Sequence, residues 1–326
     1  MKLTYDKLSS GHILSIEEAE NLMLEICKGN FNEYQIAYIL GVFKARTMEL
    51  KELIGFRNAL LHLSIPLKLD KPCIDVCGTG GDNKNTFNIS TLSAFVLAAA
   101  GIPVAKHGNF ASTSISGSSD ILKHFGYTFK TKEDEIKKEL DTSNLCFIHA
   151  PNFHPALKNL VSVRKSLSTN TLFNLMGPLV NPANTKYKYV GVFSKEVARL
   201  YNYFLQSINT TYTIVHSIDG YDEISLTSKL LQISNTSEEL IEKEDLAFET
   251  INADDISAGK SIQDAATIFT NVLQNKSTQA QMNVVLINSA TAMKCYNQKS
   301  LEECIQLCKE SIESKKAYNL FKTILN

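Results

Sequence analysis

The pattern of apolar and polar positions changes character after the first sixty-odd residues and again in the last third of the chain. From Ser15 to Lys28 the apolar residues are Ala19, Leu22, Met23 and Ile26, the three- and four-residue spacing of a single helical face. Ser15 with Glu18 forms a capping box that starts this helix, and Gly29 stops it. A second helix carries Ile36, Ile39, Leu40 and Phe43. A third, begun near Thr47, carries Leu50, Leu53, Ile54, Leu60 and Leu61 until Ser64-Ile65-Pro66 ends it. So small a set of helices has too little interior to stand firmly alone. Residues 1–66 are therefore expected to form a helical domain whose remaining apolar face packs on the rest of the chain or on a second copy, giving a homodimer.

After Pro66, short apolar runs alternate with helical patterns. Strands are expected at 73–77, 102–105, 145–149, 189–193 and 212–216, and helices at 91–100, 118–125, 131–140 and 195–208. Such alternation predicts an α/β fold over residues 67–326, with a mainly parallel central sheet flanked by helices. Residues 155–185 break the rhythm with Pro155, Gly177-Pro178 and Asn181-Pro182, and are a candidate to return to the helical domain. The last third reads as helical, with a second capping box at Ser300 and Glu303 and a final helix from about Lys316.

Composition narrows the function classes. The 33 basic and 34 acidic residues nearly cancel, so no broad attraction to nucleic acid or to a membrane surface is expected, and any anion site must be local. The N-terminus lacks an apolar signal core, and no stretch approaches the roughly 18 apolar residues of a spanning helix, which points to a soluble, cytoplasmic protein. Seven cysteines, an odd number lying mostly in apolar runs, read as reduced, buried thiols. Cys304 and Cys308 share a helical face, but no histidine stands nearby in the sequence to complete a metal site.

Three polar stretches at the ends of the expected strands carry the chemistry. The first is Gly78-Thr79-Gly80-Gly81-Asp82, between the apolar run Cys73 to Cys77 and a helix opened by hydroxyl and amide residues. Glycines there let successive backbone N–H groups turn inward, and the helix N-terminus behind them adds partial positive charge, so a phosphate or pyrophosphate is the expected guest. Lys84 is misplaced for a Walker loop, and Asn83 stands where a dinucleotide fingerprint needs its third glycine. A tight structural turn is the competing reading. The second stretch, Lys106 to Ser118, offers a lysine, two glycines and five hydroxyls, suited to a second phosphate and sugar hydroxyls or to a polar surface loop. The third, Asp219-Gly-Tyr-Asp222-Glu223, presents adjacent carboxylates, suited to Mg²⁺ on a polyphosphate or to a solvated acidic turn.

Taken together and in order, the motifs resemble those of the anthranilate phosphoribosyltransferases. The matching residues are Gly78-Thr-Gly-Gly-Asp82, Thr86-Phe-Asn-Ile-Ser-Thr91, Lys106-His-Gly-Asn109, Ser116-Gly-Ser118, Phe153-His-Pro155, Val163-Arg164, Phe173-Asn-Leu-Met-Gly-Pro178, Asn181-Pro182 and Asp219-Gly-Tyr-Asp-Glu-Ile-Ser225. The N-terminal helices look like that family's dimerising domain, and the likeness fades after about Ile233. The resemblance implies a nucleoside-phosphorylase-like fold and a reaction in which the amine of anthranilate displaces pyrophosphate from phosphoribosyl pyrophosphate, a step of tryptophan synthesis.

Carried over position by position, the resemblance assigns phosphoribosyl pyrophosphate to Gly78, Gly81, Asp82, Thr86, Asn88, Ile89, Ser90 and Thr91. Lys106, His107, Gly108, Asn109, Phe110, Ala111, Ser112, Thr113, Ser114 and Ser118 complete that site. Mg²⁺ falls to Ser90, Asp222 and Glu223. Anthranilate falls to Gly78, Asn109, His154 and Arg164, and the catalytic set is His107, Asn109 and Arg164. No strong general base is implied, because the product's protonated amine is acidic enough to lose its proton to water or to His107. Phe110, Ile115 and the run Ser168-Thr169-Asn170-Thr171 stand where the family commonly has basic residues or a Gly-x-Arg-Thr, which removes positive charge beside the anion site. Phe110 reads as core, or as a surface on which an aromatic acceptor stacks. A pyrimidine nucleoside phosphorylase of the same fold would have no use for the carboxylate pair Asp222-Glu223, and a non-catalytic nucleic-acid-binding relative would need a basic face. The residues leave open whether an anthranilate synthase amidotransferase subunit docks on the chain.

Overall fold

Ser15 and Glu18 act as their spacing predicts. In the computed structural model, which describes residues 2–111 and 114–325, the Ser15 hydroxyl accepts the Glu18 amide while the Glu18 carboxylate accepts the Ser15 amide, and the helix Ile16–Cys27 follows. The next helices are Glu33–Ala45 and Leu50–His62, the latter starting after Glu49 rather than near Thr47. A helix at Lys2–Ser9, too short and polar for its pattern to be read, precedes them. The chain clusters into two compact units, Met1–Leu67 with Ala150–Asn184, and Lys68–His149 with Thr185–Asn326.

Within the first unit a single buried carboxylate organises the turns between helices. Glu52 is fully buried; its Oε2 accepts Arg46 Nη1 at 2.8 Å and the Glu49 amide at 3.1 Å, while Oε1 accepts Arg46 Nη2 at 2.5 Å and the Leu14 amide at 3.0 Å. Gly55 lets the helices Ile16–Cys27 and Leu50–His62 touch, since a Cβ there would stand 2.3 Å from the Ile16 carbonyl oxygen. His154 is buried in the same unit, its Nε2 donating to the Val180 carbonyl at 2.9 Å.

The second unit is built on one seven-stranded sheet in the order β3-β2-β1-β4-β5-β6-β7. The strands are β1 Ile74–Gly78, β2 Val104–Gly108, β3 Leu145–His149, β4 Tyr187–Gly191, β5 Thr211–Ser217, β6 Leu230–Ser234 and β7 Glu238–Ile241. The first five run parallel, and β6 and β7 add antiparallel at the β5 edge. This is the mainly parallel, helix-flanked sheet that the alternation predicts. Chain order reverses at β1, whose neighbours are β2 and β4, so the carboxyl ends of β1 and β4 frame the switch point where open α/β sheets bind ligands.

Two features differ from the sequence reading. β2 extends through Gly108, so Lys106 and His107 belong to the strand and not to the loop beyond it; both are buried, which the apolar pattern cannot indicate. The hairpin β6-β7 and the helices Ile262–Leu273 and Gln279–Asn297 are not resolved by periodicity. The second of these is buried nearly all round, and buried Asn283, Asn288, Ser289 and Thr291 interrupt its apolar run. All seven cysteines are free and buried, and burial pushes the Cys27 thiol up to about 11, so it stays a thiol at neutral pH. Among the described residues no helix is long and apolar enough to cross a membrane.

Glu52→Ala leaves the Arg46 guanidinium and two backbone amides without their shared acceptor. The substitution is expected to lower stability by about 3 kcal/mol, read as a drop in the thermal midpoint.

Candidate active site

The glycine stretch folds because two of its residues adopt the left-handed backbone: Gly80 has φ 63° and Gly81 φ 76°. Asn83 and Asn85 follow at φ 58° and 51°, a region asparagine tolerates better than most residues. The turned amides are partly engaged within the protein. Thr79 N donates to the Gly191 carbonyl at 2.9 Å, and Gly80 N donates to Asp222 Oδ2 at 2.7 Å. The nest and the acidic loop are therefore one construction.

That construction demands two glycines, one of which the motif reading passes over. A Cβ on Gly78 would lie 2.2 Å from Asp222 Oδ2, and one on Gly191 would lie 1.5 Å from the Asp222 carbonyl oxygen. Gly78 and Gly191 are register partners at the ends of β1 and β4, so the switch point is kept bare for the loop after β5. The far side of that loop is held by Asn288, 1% exposed on the helix Gln279–Asn297. Its Oδ1 accepts the Ile224 amide at 3.0 Å and the Tyr189 hydroxyl at 2.7 Å, and its Nδ2 donates to the Ile224 carbonyl at 2.9 Å. The Ser217 hydroxyl donates to the Glu223 carbonyl at 2.7 Å. Asp219, in contrast, faces the Thr227 and Ser228 hydroxyls and takes no part in the cluster.

Three carboxyl groups converge here. Burial, then the charge of Asp82, pushes the Asp222 carboxyl up to about 8. Burial and the neighbouring Asp222 raise Glu223 as well. Among the described residues Glu223 Oε2 and Asp82 Oδ2 are buried without a hydrogen-bond partner. Mutually repelling, incompletely paired acids fit a divalent cation that also binds phosphate oxygens; no set of three or more His, Cys, Asp or Glu among the described residues forms a metal cage by itself. Lys106 is buried close by, its ammonium donating to the Val76 carbonyl and, at 3.1 Å, to the Ser90 hydroxyl, and burial lowers its pKa. Ser90 lies in the first turn of the helix Ile89–Ala99, after Thr86, Phe87 and Asn88.

The serine-rich stretch is tied to the glycine stretch by amide side chains. Asn85 Oδ1 accepts the Ile115 amide at 3.2 Å and Asn88 Nδ2 donates to the Ser116 carbonyl at 3.0 Å. The segment after Asn252 braces the same place, with Ala258 N donating to the Asn85 carbonyl at 2.9 Å and Asn85 Nδ2 donating to the Gly259 carbonyl at 3.2 Å. His107 N donates to Asp75 Oδ1 at 3.1 Å. Gly108 touches Ser118, whose Oγ would meet an added Cβ at 2.3 Å. Asn109 is exposed, and its Oδ1 accepts the Phe110 amide at 2.8 Å. The Ala111 amide is taken by Asp120. Ser112 and Thr113 lie outside the described residues, and Ser114 is exposed. Phe110 is not core: it is 42% exposed, its edge on the His149 ring at 4.9 Å.

Arg164 lies in the helical unit, on Val161–Leu167, its guanidinium 5.2 Å from the centre of the Phe173 ring. Burial lowers its pKa, and among the described residues no carboxylate pairs with it. A desolvated guanidinium without a counter-ion is a natural receptor for a carboxylate.

Sheet, switch point and acidic loop define an α/β protein with a ligand site at the ends of β1 and β4. Residues 4–64 match the family model described as "Glycosyl transferase family, helical bundle domain", and residues 70–318 match "Glycosyl transferase family, a/b domain". Among curated relatives, the anthranilate phosphoribosyltransferase of Cytophaga hutchinsonii is 47% identical over 99% of both chains, and that of Bacteroides thetaiotaomicron 42% identical over 100% of this chain and 98% of its own. Among solved structures, the Thermus thermophilus enzyme has a TM-score of 0.90 at 28% identity, covering 98% of this chain and 97% of its own. The Saccharomyces cerevisiae enzyme, in complex with PRPP and Mg, has a TM-score of 0.90 at 26% identity, covering 99% and 96%. The chain belongs to the anthranilate phosphoribosyltransferase family.

Gly191→Ala drives a methyl group into the Asp222 carbonyl and is expected to displace the acidic loop, with loss of most activity and about 1–3 kcal/mol of stability. Gly41→Ala is the control: an added Cβ meets nothing within 4 Å in mid-helix. That change should leave activity intact and gain up to about 1 kcal/mol by thermal melting.

Proposed function

We propose that the protein transfers the phosphoribosyl group of phosphoribosyl pyrophosphate to the amine of anthranilate, releasing pyrophosphate, as a step of tryptophan synthesis. The observation that carries this reading is the bond from Gly80 N to Asp222 Oδ2, which locks a phosphate-type glycine turn to an acidic cluster at the switch point of the sheet. Displacement at an anomeric carbon passes through an oxocarbenium-like state, so the protein must hold a departing pyrophosphate and orient a weak neutral amine. Mg²⁺, when bound, supplies positive charge to the leaving group.

Asp222 and Glu223, with Ser90, would hold that metal, and Asp82 stands with them. Gly78, Gly81, Thr86 and the helix start at Asn88 to Thr91 would present amides and hydroxyls to the pyrophosphate and ribose, together with Lys106 to Ser114 and Ser118. Gly78, Asn109, His154 and Arg164 would receive anthranilate, Arg164 through its carboxylate. The proton released from the amine would go to water or to His107. We also infer a homodimer in the cytoplasm, formed through the N-terminal helices, where Ile13, Ile16, Tyr34 and Tyr38 are exposed; light scattering at the mass of a single chain would refute the dimer.

Mixing the protein with anthranilate, phosphoribosyl pyrophosphate and Mg²⁺ should abolish anthranilate fluorescence, and EDTA or Asp222→Ala/Glu223→Ala should stop the decay. Absence of decay in a folded protein would refute the reading. Arg164→Lys keeps the charge but loses the two-pronged grip, and should raise KM for anthranilate by about tenfold or more.

The acidic cluster also sets a pH dependence. With its Asp222 carboxyl pushed up to about 8, the folded protein retains a proton that the unfolded chain releases near 3.8. The contribution of this group to metal-free stability is therefore full below about pH 4, falls as pH rises, and is lost above about pH 8. Added Mg²⁺ should raise the thermal midpoint more at about pH 8 than at about pH 6, because protons compete for the same oxygens.

A further inference from the structure

The segment that leaves β2 at Gly108 and re-enters structure at the helix Ser118–His124 has its two ends fastened together. The Asn109 carbonyl accepts the Ser119 amide at 3.1 Å and the Ser118 hydroxyl at 3.3 Å. Gly117 presses on the outgoing strand of the loop so closely that a Cβ would stand 2.5 Å from Ala111 N and 2.8 Å from the Asn109 carbonyl oxygen. One side chain closes this neck. Asp120 Oδ2 accepts Ala111 N at 2.6 Å and Gly117 N at 2.9 Å.

Helix initiation accounts for only one of those bonds. Asp120 is the third residue of its helix and Gly117 the residue before it, so the Gly117 bond is the usual return from the first turn. Ala111 lies across the neck and gains nothing from a helix start. A carboxylate is also a costly choice beside a phosphate site unless it is neutralised by the amides it holds. With two backbone N–H groups on one oxygen, Asp120 serves as an anchor that ties the Ala111 amide to the start of the helix.

We propose that Asp120 is a positioning residue for phosphoribosyl pyrophosphate. By holding the neck shut it sets Gly108, Asn109 and the Ser118 hydroxyl in place before the substrate arrives, so the cost of ordering them does not fall on binding. This rests on the reading above that the loop receives phosphoribosyl pyrophosphate.

The test is calorimetric titration of phosphoribosyl pyrophosphate with Mg²⁺ into the wild type, Asp120→Ala and Asp120→Asn, with steady-state kinetics on the same proteins. Asp120→Ala should weaken binding, and raise KM for phosphoribosyl pyrophosphate, by about tenfold, with smaller effects on kcat and on KM for anthranilate, transmitted through Asn109. Asp120→Asn keeps an oxygen acceptor in place and should recover most of the affinity. A lower thermal midpoint with unaltered affinity would assign Asp120 to helix initiation alone and overturn the proposal. Should Asp120→Ala fail to fold, Gly117→Ala opens the same neck from the other side; the same split is expected, and unchanged affinity overturns the proposal. A wild type that binds phosphoribosyl pyrophosphate but leaves anthranilate untouched would count against the assigned reaction, while Asp120 would still be judged on binding.

Discussion

Much of the α/β unit follows from one requirement, that the Asp222 carboxylate reach the Gly80 amide across the ends of β1 and β4. For that, the two strand ends must lack side chains, which Gly78 and Gly191 provide. The loop after β5 must also be held from behind, which Asn288 of the buried helix Gln279–Asn297 does through two hydrogen bonds to Ile224, while a third ties it to the Tyr189 hydroxyl of β4. The helix Gln279–Asn297 thus bears on the site from behind the acidic loop, because a buried amide that satisfies both an N–H and a C=O fixes a backbone position more firmly than apolar packing does.

How much of this can be read from the residues depends on how local each feature is. The capping box at Ser15, the strand-turn-helix from Cys73 to Ala100 and the carboxylate pair Asp222-Glu223 are consecutive in the chain, and each is legible. The lower boundary of the serine stretch is not: Lys106 and His107 lie inside β2, because a lysine buried to 2% with its ammonium on the Val76 carbonyl looks, in sequence, like the beginning of a loop. Gly191 and Asn288 are missed for a different reason. Their roles exist only once β4 and the helix Gln279–Asn297 are brought to a loop that is distant in sequence, and neither carries a local signature. The helix itself escapes because periodicity needs a polar face, and this helix has almost none.

The electrostatics of the site are those of an incomplete assembly. Buried acids with raised pKa values and a buried lysine with a lowered one are each unfavourable alone. Such strain is retained where a ligand supplies the missing charge, and a cation is what buried, mutually repelling acids lack.

Where the resemblance leads one to expect basic residues, at Phe110 and Ile115, the serine-rich stretch keeps its shape through other contacts. Phe110 sets its edge on His149, which is stacked on Phe129 at 4.4 Å and bonded to the Ser119 hydroxyl at 2.8 Å, so an aromatic column stands behind the neck. Lys123 Nζ lies 5.8 Å from the centre of the Phe110 ring and keeps one positive charge at the same end of the loop. At Ile115 the backbone takes over, its amide donating to Asn85 and so joining the two loops. Charge at these two positions would attract the substrate from a distance, whereas packing and backbone bonds act only on loop geometry. A loop held by the second kind of contact depends less on ionic strength, since screening weakens exposed charges and leaves buried contacts nearly untouched.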